Sequence, residues 1–526
     1  MIKIFRAIRQ NLPSEGEIMR LTTLLILTLS QATIIHGQTS LGEIDLSHGK
    51  YKVGFRHYTT LDSTRTYSRV YDYTNQKVAR PIPISIWYPS EQSIGNKTPL
   101  KIINYFEILK EEEEWEYLPD EQLLNWFYYT DTPANQNHLK ELTKAYAGIE
   151  FAKGKFPVIV YAPSFQASSI ENFALCEYLA SQGYIVISSP SRGTETRWFG
   201  NSNAKEMETQ ARDVEFLIKE GGKFQMADYN KIAVMGFSFG GLSNVIAQIR
   251  NKNIQAIVSL DGTERYQYAL LNESPFFDSK KLNVPYLHMA QKDIPEKVLK
   301  EDNLKAELNT EFELYDSITK SKAYRFKFQN LTHSYFSTLG VLFENRDKRQ
   351  DKSDAEIMES YKWASIYTLN FLNAFLQNDD KALEFLENKP SENGVRNGLI
   401  THITKQPESV VFTFQDFNDV ASSQHYQNLS QLYDSTVKKH PLFKIPEGNL
   451  NTLGLQLVFN PSTSKHGINV FLLATELYPN AANLFDSLAE GYLFMGSKGK
   501  AIESFEKSLE LNSQNQNAID RLIQLK

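Results

Sequence analysis

A chain of 526 residues is too long for one compact core at about 100–200 residues per domain, so two or three folding units are expected. Hydrophobic residues make up 41% and charged residues 22%, and 27 Tyr with 32 Phe supply enough apolar mass to argue against a disordered chain. The net charge of −6 argues against a nucleic-acid partner, because phosphate recognition needs concentrated positive charge.

At the N-terminus Lys3, Arg6, Arg9 and Arg20 precede the apolar run LTTLLILTLSQATII at 21–35. The run is short for a membrane span and reads as the core of an export signal over residues 1–37, with cleavage expected after Gly37. An uncleaved anchor is the alternative. Translation from Met1 or from Met19 leaves the same mature protein, and no Cys follows the run to carry a lipid. The signal holds four basic and two acidic side chains, so its removal takes the charge to −8. Cys176 is the single cysteine, which excludes an intrachain disulfide and a thiolate metal cluster. Its setting, ENFALCEYLASQG, predicts a small buried side chain on a helix rather than a reactive thiol.

Next in chain order, residues 50–90 alternate aromatic and polar positions and include RPIPISIWYPS, which predicts two or three antiparallel strands. An acidic, aromatic helical stretch follows at 104–150. Its charge run reads as a solvated helix face, and its Trp115, Tyr117, Leu118, Trp126, Phe127 and Tyr128 suit a lid over an apolar pocket. From 156 to 333 short apolar runs alternate with helical patterns: FPVIVYAPS, YIVISSP, KIAVMGFS, IQAIVSLDG, VPYLHMAQKD and AYRFKFQNLTH. This rhythm predicts an α/β fold with a mostly parallel sheet and helices on both faces, and runs of Val and Ile without alternation predict strands buried on both sides. A long helix at 356–379 is expected to close this domain, which is placed at 41–390.

Beyond about residue 400 no strand signal is evident, and an all-α domain is expected at 400–526. Ile468, Phe471 and Leu477 recur 34 residues later as Ile502, Phe505 and Leu511. Leu453 and Leu457 recur as Leu488 and Tyr492 after 35. The unit LAEGYLFMGSKGKAIESFEKSLELN at 488–512 resembles a tetratricopeptide repeat, with Ser513 where the family usually has Pro, and the resemblance covers roughly 449–516. Such repeats imply a protein partner docked on a concave face; a stabilising appendage or a dimer contact is the alternative.

The sharpest chemical signal is GFSFGG at 236–241, set between the apolar strand KIAVM and the helical stretch LSNVIAQIRN. A nucleophile elbow needs this context: a strained strand-to-helix turn lifts Ser238 above the sheet, and Gly236 and Gly240 avoid clashes. A serine hydroxyl needs an imidazole to take its proton and an acid to orient that imidazole, in the order Ser, acid, His. Of the downstream histidines, His333 follows the last predicted strand on a loop, where the base must stand. Two aspartates end successive strands, Asp261 in SLDG and Asp293 in MAQKD, and either suits the acid.

Residues 157–193, GFSFGG, the SLDG aspartate and the His333 loop together resemble the platelet-activating-factor acetylhydrolase and dienelactone-hydrolase branch of the α/β-hydrolase superfamily, over roughly residues 50–385. The acetylhydrolase group uses the earlier acid position, so the resemblance favours Asp261. It also implies an oxyanion hole from the backbone N–H groups of Phe165 and Phe239, although Pro163 and Ser164 stand where relatives often carry His-Gly. Dienelactone hydrolases proper use a cysteine nucleophile, and Ser238 in that place argues against their chemistry. No HExxH, paired CxxC or phosphate-binding glycine loop is present, so no metal or other cofactor is expected. The reading is an exported serine hydrolase acting on a small-molecule or lipid-like ester through an acyl-enzyme. A peptidase or lipase-like activity on the same triad, or a non-catalytic repeat-bearing binding protein, are the alternatives.

Overall fold

Two long strands, β1 (Lys52–Tyr67) and β2 (Val78–Ser90), pair antiparallel in a hairpin whose register shifts between Asp62 and Thr66. Pro81 and Pro83 stand inside β2, where a missing N–H would cost a ladder bond in a central strand. They are tolerated because β2 meets its second neighbour only over Ser85–Trp87, which leaves the edge beside the prolines unpaired. The computed structural model describes residues 39–526 except 71–73, 75, 302, 344–349 and 409–411. The signal expected at 1–37 lies outside the described residues, and among the described residues no helix is long and apolar enough to cross a membrane.

After the hairpin come α1 (Ile102–Glu112), β3 (Ala145–Ala147), β4 (Phe156–Ala162), α2 (Phe173–Ser181), β5 (Ile185–Ser188), α3 (Ala204–Gly221), β6 (Ala227–Phe237) and α4 (Phe239–Arg250). The rest of the unit holds β7 (Ile254–Leu260), β8 (Tyr286–Gln291), β9 (Ala323–Phe328), α5 (Asp354–Leu376) and β10 (Ile400–Lys405). The sheet order is β10-β9-β8-β7-β6-β4-β5-β2-β1-β3. Its centre, β4 to β9, is parallel. Alternate residues of β4 enter two cores: Ile159 and Tyr161 pack with α1, α2 and α5, and Val158 and Val160 pack with α3 and α4. Helices on both faces leave each central strand no wet side, which is why these strands read as continuous Val and Ile. The fold is that of the α/β-hydrolases, as the resemblance implies, with the mostly parallel sheet that the βαβ rhythm predicts.

The domain boundary moves from the one expected. Ile400–Lys405 pairs antiparallel with β9, register Ile400↔Phe328 to Lys405↔Ala323, and the first compact unit ends at Glu408. Its sequence, ITHITK, buries only Ile400, with Thr401 and Ile403 exposed and the other positions half-buried, as an edge strand does.

The acidic stretch also differs from a plain solvated face. Glu111 meets His57, Glu112 the hydroxyls of Ser168 and Ser169, Glu113 Arg197, Glu114 Tyr67, and Glu116 Arg69. Tyr105, Phe106, Leu109, Leu123 and Leu124 are fully buried in the core shared with α2, whereas Tyr117 is exposed. The apolar side chains of 104–150 are thus largely taken up by the core.

The second unit, residues 409–526, is all-helical among its described residues. Helices Glu447–Val458 and Ser464–Leu477 pack on each other, as do Ala482–Phe494 and Lys498–Leu511. A Cβ at Gly467 would lie 2.5 Å from the backbone N of Val458, so the first pair approaches too closely there for any larger residue.

Candidate active site

Strand β6 ends at Phe237 and α4 begins at Phe239, so Ser238 alone makes the turn between them, at φ +53° and ψ −119°. That region is costly for a residue with a Cβ, by about 1–3 kcal/mol, and persists only where the surroundings enforce it. Here the Ser238 carbonyl accepts from Thr263 N–H at 2.8 Å and Gly241 N–H at 3.0 Å, while the Ser238 N–H donates to Leu260 at 3.2 Å. The flanking glycines are steric requirements. A Cβ on Gly240 would fall 2.0 Å from the Ala162 carbonyl oxygen, and one on Gly236 2.4 Å from the Gly240 backbone.

The loop after β9 brings His333 over this turn. Its Nε2 stands 2.9 Å from Ser238 Oγ and its Nδ1 2.7 Å from Asp261 Oδ2. The imidazole is 32% exposed, which leaves it reachable by solvent, whereas Asp261 is fully buried. Asp261 ends β7 at φ +43° and its N–H donates to Met289 on β8, so the strand end is bent to turn the carboxylate toward the histidine loop. Burial pushes this carboxyl up, but the His333 hydrogen bond and charge, the Arg265 charge and the Gln291 N–H outweigh it and hold the group at about 2. It is ionised at neutral pH.

Of the two aspartates, then, the structure brings Asp261 to His333. Asp293 is 62% exposed and pairs with Lys327 Nζ at 2.5 Å.

Phe165 lies in the turn after β4, followed by Gln166 at φ +55°. Glu171 holds this turn from behind, accepting from Ser164 N–H at 2.9 Å, Ser164 Oγ at 2.5 Å and Tyr161 Oη at 2.9 Å. Burial pushes the Glu171 carboxyl up, against the pull of these donors. The second candidate donor, the Phe239 N–H, opens α4, where a helix leaves its first amides without intrahelical acceptors. The rings of Phe165, Phe199 and Phe239 meet one another at centroid distances of 4.4–5.7 Å beside the turn.

Several residues here carry no signal in the sequence. Arg265, Tyr266 and Gln291 surround Asp261, and Glu112 and Glu171 hold the Phe165 loop. Only the closeness of Arg265 and Tyr266 to Asp261 in the chain offers a hint; Glu112 is reached from 57 residues away. Cys176 is buried in α2, with its thiol pushed well up by burial. Among the described residues no group of three or more His, Cys, Asp or Glu is placed to hold a metal ion.

Residues 143–338 match the dienelactone hydrolase family, and that segment carries Ser238, Asp261 and His333. No curated protein matches the chain. Among solved structures, a ferulic acid esterase from Streptomyces cinnamoneus is 17% identical, with 68% of this chain and 98% of that chain covered at a TM-score of 0.46. The chain therefore has an α/β-hydrolase fold with a segment similar to the dienelactone hydrolase family, and this match supports a hydrolase.

Proposed function

We propose that this protein is a serine esterase that cleaves carboxylic esters through an acyl-enzyme. The observation that carries the reading is the hydrogen-bonded line from Asp261 through His333 to Ser238, at 2.7 and 2.9 Å, on a strained strand-to-helix turn. In this reading His333 Nε2 takes the Ser238 proton as Oγ attacks the ester carbonyl, and Asp261 stabilises the imidazolium through Nδ1–H. The N–H groups of Phe165 and Phe239 receive the developing oxyanion, each donor lowering the barrier by about 2.7–4 kcal/mol. His333 then returns the proton to the departing alkoxide, and a water activated by the same imidazole releases the acid. None of these steps needs a metal or organic cofactor.

Export through residues 1–37 and a docking role for repeats at 449–516 belong to the same proposal; the first rests on the charge and length of the N-terminal run, the second on the 34-residue recurrence. The test of the chemistry is Ser238→Ala. The wild type is expected to hydrolyse p-nitrophenyl esters of graded chain length and to be labelled by a fluorophosphonate, and the variant to lose both. An alanine variant with full activity would refute the reading.

A further inference from the structure

Asp261 is held by more than the histidine. Its Oδ2 accepts from His333 Nδ1 at 2.7 Å and Tyr266 Oη at 2.8 Å; its Oδ1 accepts from Gln291 N–H at 3.0 Å and Arg265 Nη1 at 3.3 Å. Two donors on each oxygen use the accepting capacity of a carboxylate almost completely. One of the four donors carries a permanent charge. The Arg265 and Asp261 side chains are both fully buried, and the other guanidinium contacts go to neutral groups, the Leu308 carbonyl from Nε at 3.0 Å and Nη2 at 2.8 Å and the Tyr266 hydroxyl from Nη1 at 3.3 Å. The rings of Phe312 and Tyr266 cover the guanidinium at 4.7 and 5.2 Å. Its positive charge is therefore directed at Asp261 in a place that water does not screen.

A lone buried carboxylate beside an imidazole favours the imidazolium strongly. A carboxylate already paired with a guanidinium favours it less, and the guanidinium adds a repulsion of its own. The other groups around this centre do not replace that charge. Glu171, on the loop before α2, is the second acid whose charge interacts with His333. Tyr266 stays neutral, its phenol pushed far up by burial and by Asp261. Arg325 on β9 is the next base beyond Arg265, stacked on Phe312 at 4.1 Å.

We propose that Arg265 is a positioning residue of the triad, whose buried guanidinium fixes the Asp261 carboxylate against His333 and offsets its charge, so that the pH range of the reaction depends on Arg265. The inference rests on the Ser238, Asp261 and His333 reading. Its test is the rate of fluorophosphonate labelling of the full chain, measured from about pH 4 to about pH 9, where the acid limb reports protonation of the base in the free enzyme. Arg265→Met is expected to move that limb upward by about 0.5–1 pH unit, and Arg265→Lys, which keeps the charge, to leave it with the wild type. Should the methionine variant not fold, Arg265→Gln removes the same charge and carries the same expectation. A neutral variant whose labelling falls equally at every pH, or whose limb moves as far as that of the lysine variant, overturns the proposal. Absence of Ser238 labelling in the wild type at every pH would instead overturn the triad reading itself.

Discussion

Ser238 and Asp261 both occupy positive-φ backbone, at +53° and +43°, and both are held there by hydrogen bonds from the neighbouring strand or loop. Strain at two successive strand ends brings the Ser238 hydroxyl and the Asp261 carboxylate to the two nitrogens of one imidazole. Asp261→Asn is expected to lower kcat by a factor on the order of 10⁴, since an amide neither stabilises the imidazolium nor fixes its tautomer. Asp293→Asn is expected to change kcat by no more than about twofold, because it removes only an exposed pair with Lys327. Steady-state kinetics of both variants checks the ranking, and the reverse order would move the acid to Asp293. Ser238 and His333 were legible in the chain because a Gly-X-Ser-X-Gly turn between strand and helix, and a histidine after the last parallel strand, are local patterns. Asp261 and Asp293 end successive strands alike. The resemblance alone favoured Asp261; the path of the His333 loop, which brings Asp261 to the imidazole, is a tertiary fact.

At the scale of elements, the stretch at 104–150 works as a buttress in this structure. The carboxylate of Glu112, at the end of α1, accepts from Ser168 Oγ, Ser169 Oγ and Ser169 N–H and so ties α1 to the loop that carries Phe165. Loosening that tie should cost the transition state more than the ground state, because oxyanion donors act only when held in place. Glu112→Gln is expected to lower kcat about tenfold with KM within about twofold, and to weaken binding of a boronic acid in parallel with kcat. Loss of thermal stability with kcat intact would reduce Glu112 to a structural role. Sequence periodicity predicts the helix but misreads the charge run, since a solvated glutamate and one bonded 57 residues away look the same in a window of a dozen residues. The parallel strands were legible for the opposite reason: burial on both faces writes itself into consecutive Val and Ile.

For the whole molecule, the chain divides at Glu408 into an α/β unit and a helical unit. Ser238, Asp261, His333 and the groups that hold them all lie in the first unit. A chain ending at Glu408 is expected to keep the wild-type kcat on a small soluble ester, whereas one ending near residue 390 loses β10 and exposes the edge of β9, and is expected to aggregate. Size-exclusion chromatography and kinetics of the two truncations check this. The short, weakly patterned ITHITK is why the boundary was misplaced from sequence. The most direct test of the central claim is mass spectrometry of the full chain, acid-quenched during turnover of a fast-acylating p-nitrophenyl ester. The account predicts a mass increase of one acyl group, mapped to the peptide containing Ser238 and absent in Ser238→Ala. Turnover with no adduct at Ser238, or with the acyl group on another residue, would contradict it.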